Sequence, residues 1–374
     1  MTNQLRNWLK KSENSSKKAD AWNRWIGIWC RFTLEGFLLS SYDAVIAKIP
    51  IKDNQKGLED LKRLLPWPDI VVRGYSVFSY TMQLDQSLVQ FLREEMGEWW
   101  MPDMHCIDGG MSKLPEAFAN SKPNDEELLQ KIHTNQTVNR ITYTYNLENP
   151  GEDLVEIDGC YTDTKFPLTT VKGRAVIVTT SVNILRLITF KSANDSYPPP
   201  TKFYQAIEDI FMGASTKIFL QTKTRFWENE GITGGFSKTN LPVGQIHYCR
   251  HDGTTEKGLL LVYTWKSEAL MFGSVHKDTA LREAIEQVAT IHPQIKEQYE
   301  SGLVHAWYNQ PNTQGAYEIL KPIQFQNVQF LRRPMHNVYF AGEGISTAPG
   351  WIQGALESAL KSAYECYIRY ENVV

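Results

Sequence analysis

The segment near the carboxyl end of the chain constrains the fold more than any other. An apolar run, Val338–Phe340, is followed by Gly342-Glu343, a short loop, and a Gly350-Trp351 pair that opens a long amphipathic stretch. Glycine after a buried strand lets the backbone approach a ligand closely, and the first N–H groups of a helix favour negative charge. The pattern therefore predicts a strand, a loop and a helix over residues 350–370 that border a ligand site. A glycine-rich connection without a ligand fits the local pattern equally well.

Composition and charge exclude several classes of protein. The chain has 374 residues, a formal net charge of −3 and a sequence pI near 6.3, so we expect no nucleic-acid partner. Its five cysteines are scattered, and none forms a C-x-x-C pair, which predicts neither a zinc site nor a disulfide framework. The longest apolar stretch, residues 25–30, lies between two arginines and is too short to span a bilayer.

Periodicity predicts helices first and strands afterwards. Residues 1–105 are predicted to be mostly helical, because apolar side chains recur there at helical spacing in three stretches. These stretches are marked by Trp22, Trp25, Ile26 and Trp29, by Leu58, Leu61, Leu64 and Leu65, and by Leu88, Phe91 and Leu92. The predicted strands lie at Val138–Tyr145, Val155–Ile157, Arg174–Thr180, Thr216–Leu220 and Leu259–Tyr263. A further helix is predicted over Thr279–Ile291.

The order of these elements predicts two discontinuous lobes with a cleft between them, which is a common place for a cofactor. The chain enters a second lobe after residue 200 and returns to the first near Val338. The last helix is predicted to bury one apolar face, formed by Ile352, Ala355, Leu356, Ala359 and Ala363.

Several motifs together carry a resemblance to a known family. Phe340-Ala341-Gly342-Glu343 and Gly350-Trp351-Ile352-x-Gly354-Ala355-x-Glu357-Ser358 resemble the C-terminal signature of the flavin-containing amine oxidoreductases. Among these, the L-amino-acid oxidases fit best, because further segments match them in the same order. Those segments are Ile107–Pro115, Val178–Ser181, Arg186–Phe190, Thr216–Leu220, Phe226–Glu228, Gly231–Pro242 and Gly315–Tyr317. The resemblance covers residues 74–370.

The resemblance implies a mixed α/β and α+β fold, in which a substrate-binding lobe is inserted into an incomplete FAD-binding lobe with a central parallel sheet. We expect a helical region over 1–105 and the second part of the FAD-binding lobe over 106–190. The substrate-binding lobe is expected over 191–325, and the C-terminal part of the FAD-binding lobe over 326–374.

The implied activity is FAD-dependent oxidative deamination of L-amino acids. A hydride leaves the substrate Cα for the flavin, the imino acid hydrolyses to a 2-oxo acid and ammonia, and oxygen is reduced to hydrogen peroxide. The expected partners are an amino acid or amine and oxygen. Two alternatives remain open at this point, namely an amine or polyamine oxidase of the same superfamily and a non-catalytic remnant.

The resemblance also assigns roles to residues of the substrate lobe. Lys217 matches a lysine that holds a water near flavin N5, whereas an arbitrary strand lysine is more often solvated or salt-bridged. Tyr263 matches a tyrosine that binds the substrate carboxylate, the alternative being a core tyrosine. Trp307 and Trp351, with Gly350, match residues at the substrate cavity, although Trp307 fits a packing role equally well.

The cofactor-binding residues follow from the same comparison of motifs. The set implied to contact FAD comprises Val138, Gly342, Glu343, Gly350, Trp351 and Ile352. Of these, Val138 matches the position at which backbone atoms meet the adenine. Nothing in the spacing of His105 or His133 supports a role as a catalytic base.

One family feature has no counterpart in the sequence. The family opens with a βαβ unit carrying G-x-G-x-x-G, followed by an arginine motif that binds the substrate carboxylate, and neither pattern occurs here. We expect either a truncated gene product or a second polypeptide, such as a complementing N-terminal chain, that supplies this segment; a homo-oligomer is a further possibility. In either case we expect this chain alone to retain FAD poorly.

Overall fold

The computed structural model describes residues 25–48, 55–78, 84–97, 107–121, 128–250 and 255–371. Its helices are α1 (Leu34–Leu39), α2 (Tyr42–Ile46), α3 (Gln55–Leu64), α4 (Asp69–Phe78), α5 (Leu88–Gly97), α6 (Lys113–Ala119), α7 (Val182–Leu185), α8 (Thr201–Asp209), α9 (Lys266–Gly273), α10 (Lys277–Val288), α11 (Ile295–Gln298), α12 (Phe325–Leu331) and α13 (Ile352–Tyr370). None of these helices is long and apolar enough to cross a membrane.

The strands form three separate sheets. They are β1 (Gln136–Thr144), β2 (Leu154–Tyr161), β3 (Val171–Gly173), β4 (Val176–Val178), β5 (Thr189–Ser192), β6 (Ser215–Thr222), β7 (Phe236–Lys238), β8 (Gln245–Tyr248), β9 (Gly258–Trp265), β10 (Tyr299–Ala306) and β11 (Val338–Phe340). The sheet orders are β3-β2-β1-β5, β10-β6-β9-β8-β7 and β11-β4. The predicted succession of helices, strands, a mixed insertion and a final strand and helix is therefore observed.

Among its described side chains, the helical region packs largely as its periodicity predicts. Trp25 and Trp29 are buried, as are Leu61 and Leu65, whereas Leu64 is 56% exposed and its predicted burial is wrong. Successive helical residues are turned by about 100° around the axis, and here Leu65 but not Leu64 shares the buried side with Leu61. Trp22, Leu58 and His105 lie outside the residues whose side chains the structure describes.

The five-stranded antiparallel sheet has two different faces. Along β6 and β9, buried residues alternate with half-buried ones, as the period of two in a strand requires. The buried face, which includes Ile218, Leu220 and Val262, shares a hydrophobic core with α10. The half-buried face carries Lys217 and Tyr263. The alternation therefore separates the core of this sheet from its candidate site.

The two-stranded sheet is parallel. Val338 pairs with Val176, and Phe340 pairs with Val178. Because both strands run in one direction, their carboxyl ends meet at the same edge, where Thr179 and Ala341 follow. Ile177 is 36% exposed, so the run that predicts a fully buried strand is buried only in part.

The last helix turns an unexpected face inward. Its buried residues are Gly354, Ser358 and Ser362, whereas Ile352 is 50% exposed and Leu356 is 41% exposed. The predicted inward face is therefore wrong at Ile352, at Leu356 and at the exposed Ala363. The Ser362 hydroxyl donates to the carbonyl of Phe340 at 2.6 Å, a contact that only a small side chain permits. Close approach to the backbone of β11, rather than apolar character, decides which face is buried.

Candidate active site

A cavity of about 260 Å³ opens at the carboxyl ends of β4 and β11. Its lining includes Thr179, Thr180, Ser181, Gly342, Glu343 and Glu318. Ligands of open parallel sheets characteristically bind at the carboxyl ends of strands. The Thr180 Oγ1 atom is buried and has no hydrogen-bond partner among the described residues, so a polar ligand group at this position would satisfy it.

Gly342 turns the chain from β11 into the cavity wall. Its φ of 145° is one that residues with a side chain rarely adopt, which explains glycine here. The Ser358 hydroxyl accepts a hydrogen bond from Gly342 N and donates one to Gly342 O, both at 2.9 Å. The helix therefore holds the loop at the two backbone groups beside the cavity.

Glu343 follows in the same loop, and its carboxylate accepts hydrogen bonds from backbone N–H groups of the protein. One carboxylate oxygen accepts a hydrogen bond from Gly350 N, and the other accepts one from Glu318 N at 3.3 Å. Burial raises the pKa of Glu343 well above its ordinary value, and the neighbouring Glu318 carboxyl raises it further. The two carboxyl groups therefore avoid being charged together.

Sequence reasoning did not single out Glu318. This residue is 1% exposed, lies in van der Waals contact with Gly344, and has one buried carboxyl oxygen with no partner in the described structure. Any side chain at position 344 would collide with it, so the glycine of the Gly342-Glu343-Gly344 turn admits a second carboxyl to the cavity wall. No motif signals such a pair, because the two glutamates are 25 residues apart.

The Gly350-Trp351 turn lies next to this pair. Gly350 has a φ of 82°, and a Cβ atom at this position would lie 3.1 Å from the ring of Tyr317. Its N–H donates to Glu343, so this amide is engaged within the protein. Trp351 is half-buried and begins the last helix, and Ala355 in the first turn of that helix lines the cavity.

Lys217 and Tyr263 are direct cross-strand neighbours on β6 and β9. The Lys217 ammonium lies 4.7 Å from the centre of the Tyr263 ring. Burial lowers the pKa of Lys217 and raises the pKa of Tyr263 to about 12. Two residues that are 46 positions apart in sequence thus form one polar centre in which the hydroxyl stays protonated at neutral pH.

A row of aromatic rings connects this centre with the cavity. The rings of Tyr263 and Trp265 lie 4.5 Å apart, and those of Trp265 and Tyr317 lie 5.3 Å apart in an edge-on arrangement. Tyr317 in turn contacts Gly350. The substrate-lobe residues and the glycine turn predicted from sequence therefore belong to one continuous structure.

The sheet register adds residues that sequence reasoning missed. His305, Lys217, Tyr263, Gln245 and Lys238 occupy successive strands in direct register. Directly opposed residues of an antiparallel sheet share a face, so all five lie on the face of Tyr263. Burial lowers the pKa of Lys238 to about 8, and its ammonium has no hydrogen-bond partner in the described part of the chain.

Comparison with known proteins identifies the family. The sequence pattern of the flavin-containing amine oxidoreductases matches residues 40–366. The chain belongs to this family. Its members contain a flavin. The comparison therefore supports FAD, the cofactor expected from the resemblance of the Gly342-Glu343 and Gly350-Trp351 motifs.

Relatives with curated sequences include L-amino-acid oxidases of snakes. The enzyme of Bothrops moojeni is 29% identical over 262 residues, which is 69% of this chain and 48% of that protein. The enzyme of Notechis scutatus scutatus is 26% identical over 334 residues, covering 88% of this chain and 55% of that protein. This flavin-containing amine oxidoreductase chain thus spans about half the length of the curated relatives it matches.

Solved structures show the same fold. A redesigned putrescine oxidase double mutant superimposes with a TM-score of 0.60 at 14% identity, covering 89% of this chain and 68% of that one. A triple mutant of the same enzyme gives 0.60 at 13% identity, covering 96% and 77%. The mixed α/β architecture of the flavin-dependent amine oxidases is therefore present.

The cavity fits part of a flavin dinucleotide. Its volume of about 260 Å³ is slightly below the range of roughly 300–1,000 Å³ typical of complete ligand pockets. The unpartnered Thr180 hydroxyl suits a polar group of the flavin ribityl chain, and glycine at position 342 lets a ligand approach the cavity wall without meeting a side chain. Gly342 and Glu343 are the predicted cofactor residues that line the cavity directly.

The remaining predicted residues lie at differing distances from this cavity. Trp307 is half-buried directly after β10, with its ring 4.4 Å from that of His305. Val138 is 38% exposed, sits at a bulge of the four-stranded sheet and does not line the cavity. Ile352 is half exposed, and its side chain points away from the buried face of α13. The roles of all the predicted site residues, including these three, stay predictions.

Proposed function

We propose that this chain provides the substrate lobe and the flavin-ring side of an FAD-dependent L-amino-acid oxidase. The enzyme would convert an L-amino acid to a 2-oxo acid with release of ammonia and hydrogen peroxide. The observation that carries the proposal is the Lys217–Tyr263 centre, which joins a protonated hydroxyl and a partly desolvated ammonium beside the aromatic row. The likeness to snake L-amino-acid oxidases supports the same substrate class.

Each residue of the centre has a distinct role. The Tyr263 hydroxyl donates a hydrogen bond to the substrate α-carboxylate, because a pKa of about 12 keeps its proton in place. The Lys217 ammonium orients a water and favours negative charge that develops on oxygen. Trp307 and Trp351 shield the amine from bulk water, with Gly350 closing the side near Tyr317. When bound, the flavin supplies the acceptor for the hydride that leaves the substrate.

A second candidate is an amine or polyamine oxidase, which the fold likeness to putrescine oxidase supports. The charges on the sheet favour the first candidate. Lys217 and Lys238 occupy the same face, and their positive charges add to burial in lowering the pKa of His247. A substrate with two or more ammonium groups would be repelled there, whereas a carboxylate would be attracted.

We also propose that a complementing polypeptide with a dinucleotide-binding βαβ unit packs on the last helix. The exposed apolar residues of that helix are Ile352, Leu356, Leu360, Tyr364, Tyr367 and Ile368. Among the described strands, β4 and β11 pair only with each other, so each has an open edge. Added parallel strands and helices would cover both features. The division into residues 1–105, 106–190, 191–325 and 326–374 is part of this proposal.

The test has two stages. The purified chain is first examined for a flavin absorbance spectrum; stoichiometric FAD without any partner would refute the need for a complementing segment. The chain is then combined with a βαβ-containing N-terminal segment and FAD, and peroxide release from leucine, phenylalanine and spermine is compared. Release from the amino acids supports the proposal, release from spermine alone favours the polyamine oxidase, and no release from any substrate indicates a non-catalytic remnant.

A further inference from the structure

A cluster of basic and polar side chains lies on the half-buried face of the five-stranded sheet, on the side of Tyr263 away from Lys217. The register places Gln245 and then Lys238 on the next two strands beyond Tyr263. Adjacent strands are about 4.8 Å apart, so the backbones of Tyr263 and Lys238 are separated by about 10 Å. The side chains of both residues are long enough to reach towards a common ligand above Gln245.

The Lys238 ammonium has no acceptor in the described part of the chain. Its Nζ atom is buried and makes no hydrogen bond within the described residues. Leaving a buried cation without a partner is costly, and burial alone lowers the pKa of Lys238 to about 8. A lysine at the end of a short strand could extend into solvent, so the buried position points to an anion that binds there.

His247 is the third member of the cluster. Its Nε2 atom lies 3.3 Å from the Gln245 side-chain oxygen, and burial followed by the charges of Lys217 and Lys238 lowers its pKa. No carboxylate of a described residue contributes to the pKa of either lysine. The described residues therefore offer positive charge on this face without supplying the matching negative charge.

We infer that Lys238, with Gln245 and His247, binds a second carboxylate of the substrate, so that the preferred substrate is an acidic L-amino acid. The inference rests on the proposed function, in which Tyr263 holds the α-carboxylate. The distal carboxylate of the same molecule then accepts hydrogen bonds from the Lys238 ammonium and the Gln245 amide. An apolar side chain would leave the ammonium unpaired, and a diamine would add a further positive charge.

The first experiment needs no flavin. Isothermal titration calorimetry measures the binding of 2-oxoglutarate and of 2-oxopentanoate, which lacks the distal carboxylate, to the purified chain. The wild type is expected to bind 2-oxoglutarate about 10- to 100-fold more tightly, the range for a charge-assisted hydrogen bond. Lys238→Met, which keeps the length of the side chain, is expected to reduce this ratio to about one without weakening binding of 2-oxopentanoate.

Two further variants make the result decisive. Lys238→Arg keeps the charge and is expected to retain the preference, and Lys223→Met, at an exposed position directly after β6, is expected to leave it unchanged. Equal affinity of the wild type for the two acids would overturn the inference, as would an unchanged ratio in Lys238→Met. Failure of the wild type to bind either acid would also overturn it.

Activity distinguishes this inference from the proposed function. With the complemented chain, glutamate is expected to release peroxide at a higher kcat/KM than leucine, and Lys238→Met is expected to reverse that order. Oxidation of leucine and phenylalanine without any Lys238-dependent preference for glutamate would contradict the inference alone. Selective binding of 2-oxoglutarate without oxidation of any amino acid would contradict the proposed function and leave the anion site standing.

Discussion

Replacing Glu318 with glutamine should stabilise the chain at neutral and alkaline pH. Glu318 and Glu343 face each other in a buried wall, and burial together with the Glu318 charge raises the pKa of Glu343. Between the unfolded pKa and this raised folded pKa, the folded state holds more protons than the unfolded state. The stability that protonation of Glu343 provides is therefore complete at low pH and is lost as the pH rises through this window.

The magnitude follows from the charges. Two unit charges about 4 Å apart interact by about 4 kcal/mol at an effective dielectric constant of about 20. Retaining a proton avoids this repulsion but costs about 1.4 kcal/mol for each pH unit between the unfolded pKa, near 4.3, and the folded one. Glutamine removes the repulsion, and its amide can donate to Glu343. We expect Glu318→Gln to gain about 1–3 kcal/mol at pH 8 and to match the wild type near pH 4.

The assay is urea unfolding of the wild type and Glu318→Gln at intervals from pH 4 to pH 8.5, followed by far-ultraviolet circular dichroism. Glu116→Gln is the matched control, because Glu116 forms only an exposed ion pair with Lys113 and should change stability by less than about 1 kcal/mol. A difference between Glu318→Gln and the wild type that is the same at every pH would refute the reasoning. So would a loss of stability that grows as the pH rises.

Three further outcomes test other parts of the site. In the complemented enzyme, Lys217→Met should slow the reaction with oxygen about 100- to 1,000-fold in stopped-flow traces, whereas Lys223→Met should not. Tyr263→Phe should raise KM about 10- to 100-fold for amino acids, a shift that should be absent for amines without a carboxylate. Ser358→Ala should destabilise the chain by about 1–3 kcal/mol in urea unfolding, because the backbone of Gly342 loses its partner, while Leu360→Ala, at an exposed position, should stay within about 0.5 kcal/mol.

Much of the fold follows from local patterns. The short, largely apolar runs Thr216–Leu220 and Leu259–Tyr263 predict two central strands, and both are internal strands of the sheet. The same argument fails for α13. Helical periodicity places apolar residues on one face, but Ser358 and Ser362 occupy the buried face because their hydroxyls bond to the backbone of β11 and its loop.

The sequence by itself predicted the order of elements, and its motifs, through their resemblance to the family, indicated the family and the residues Gly342, Glu343, Lys217 and Tyr263. The order of elements follows from local spacing, because neighbours in the chain decide turns, strands and helix starts. Only the tertiary structure decided that Lys238 shares a face with Tyr263 and that Glu318 lies against Glu343. Strand register and close packing depend on contacts between residues far apart in the chain, and no local period encodes which distant charges are buried together.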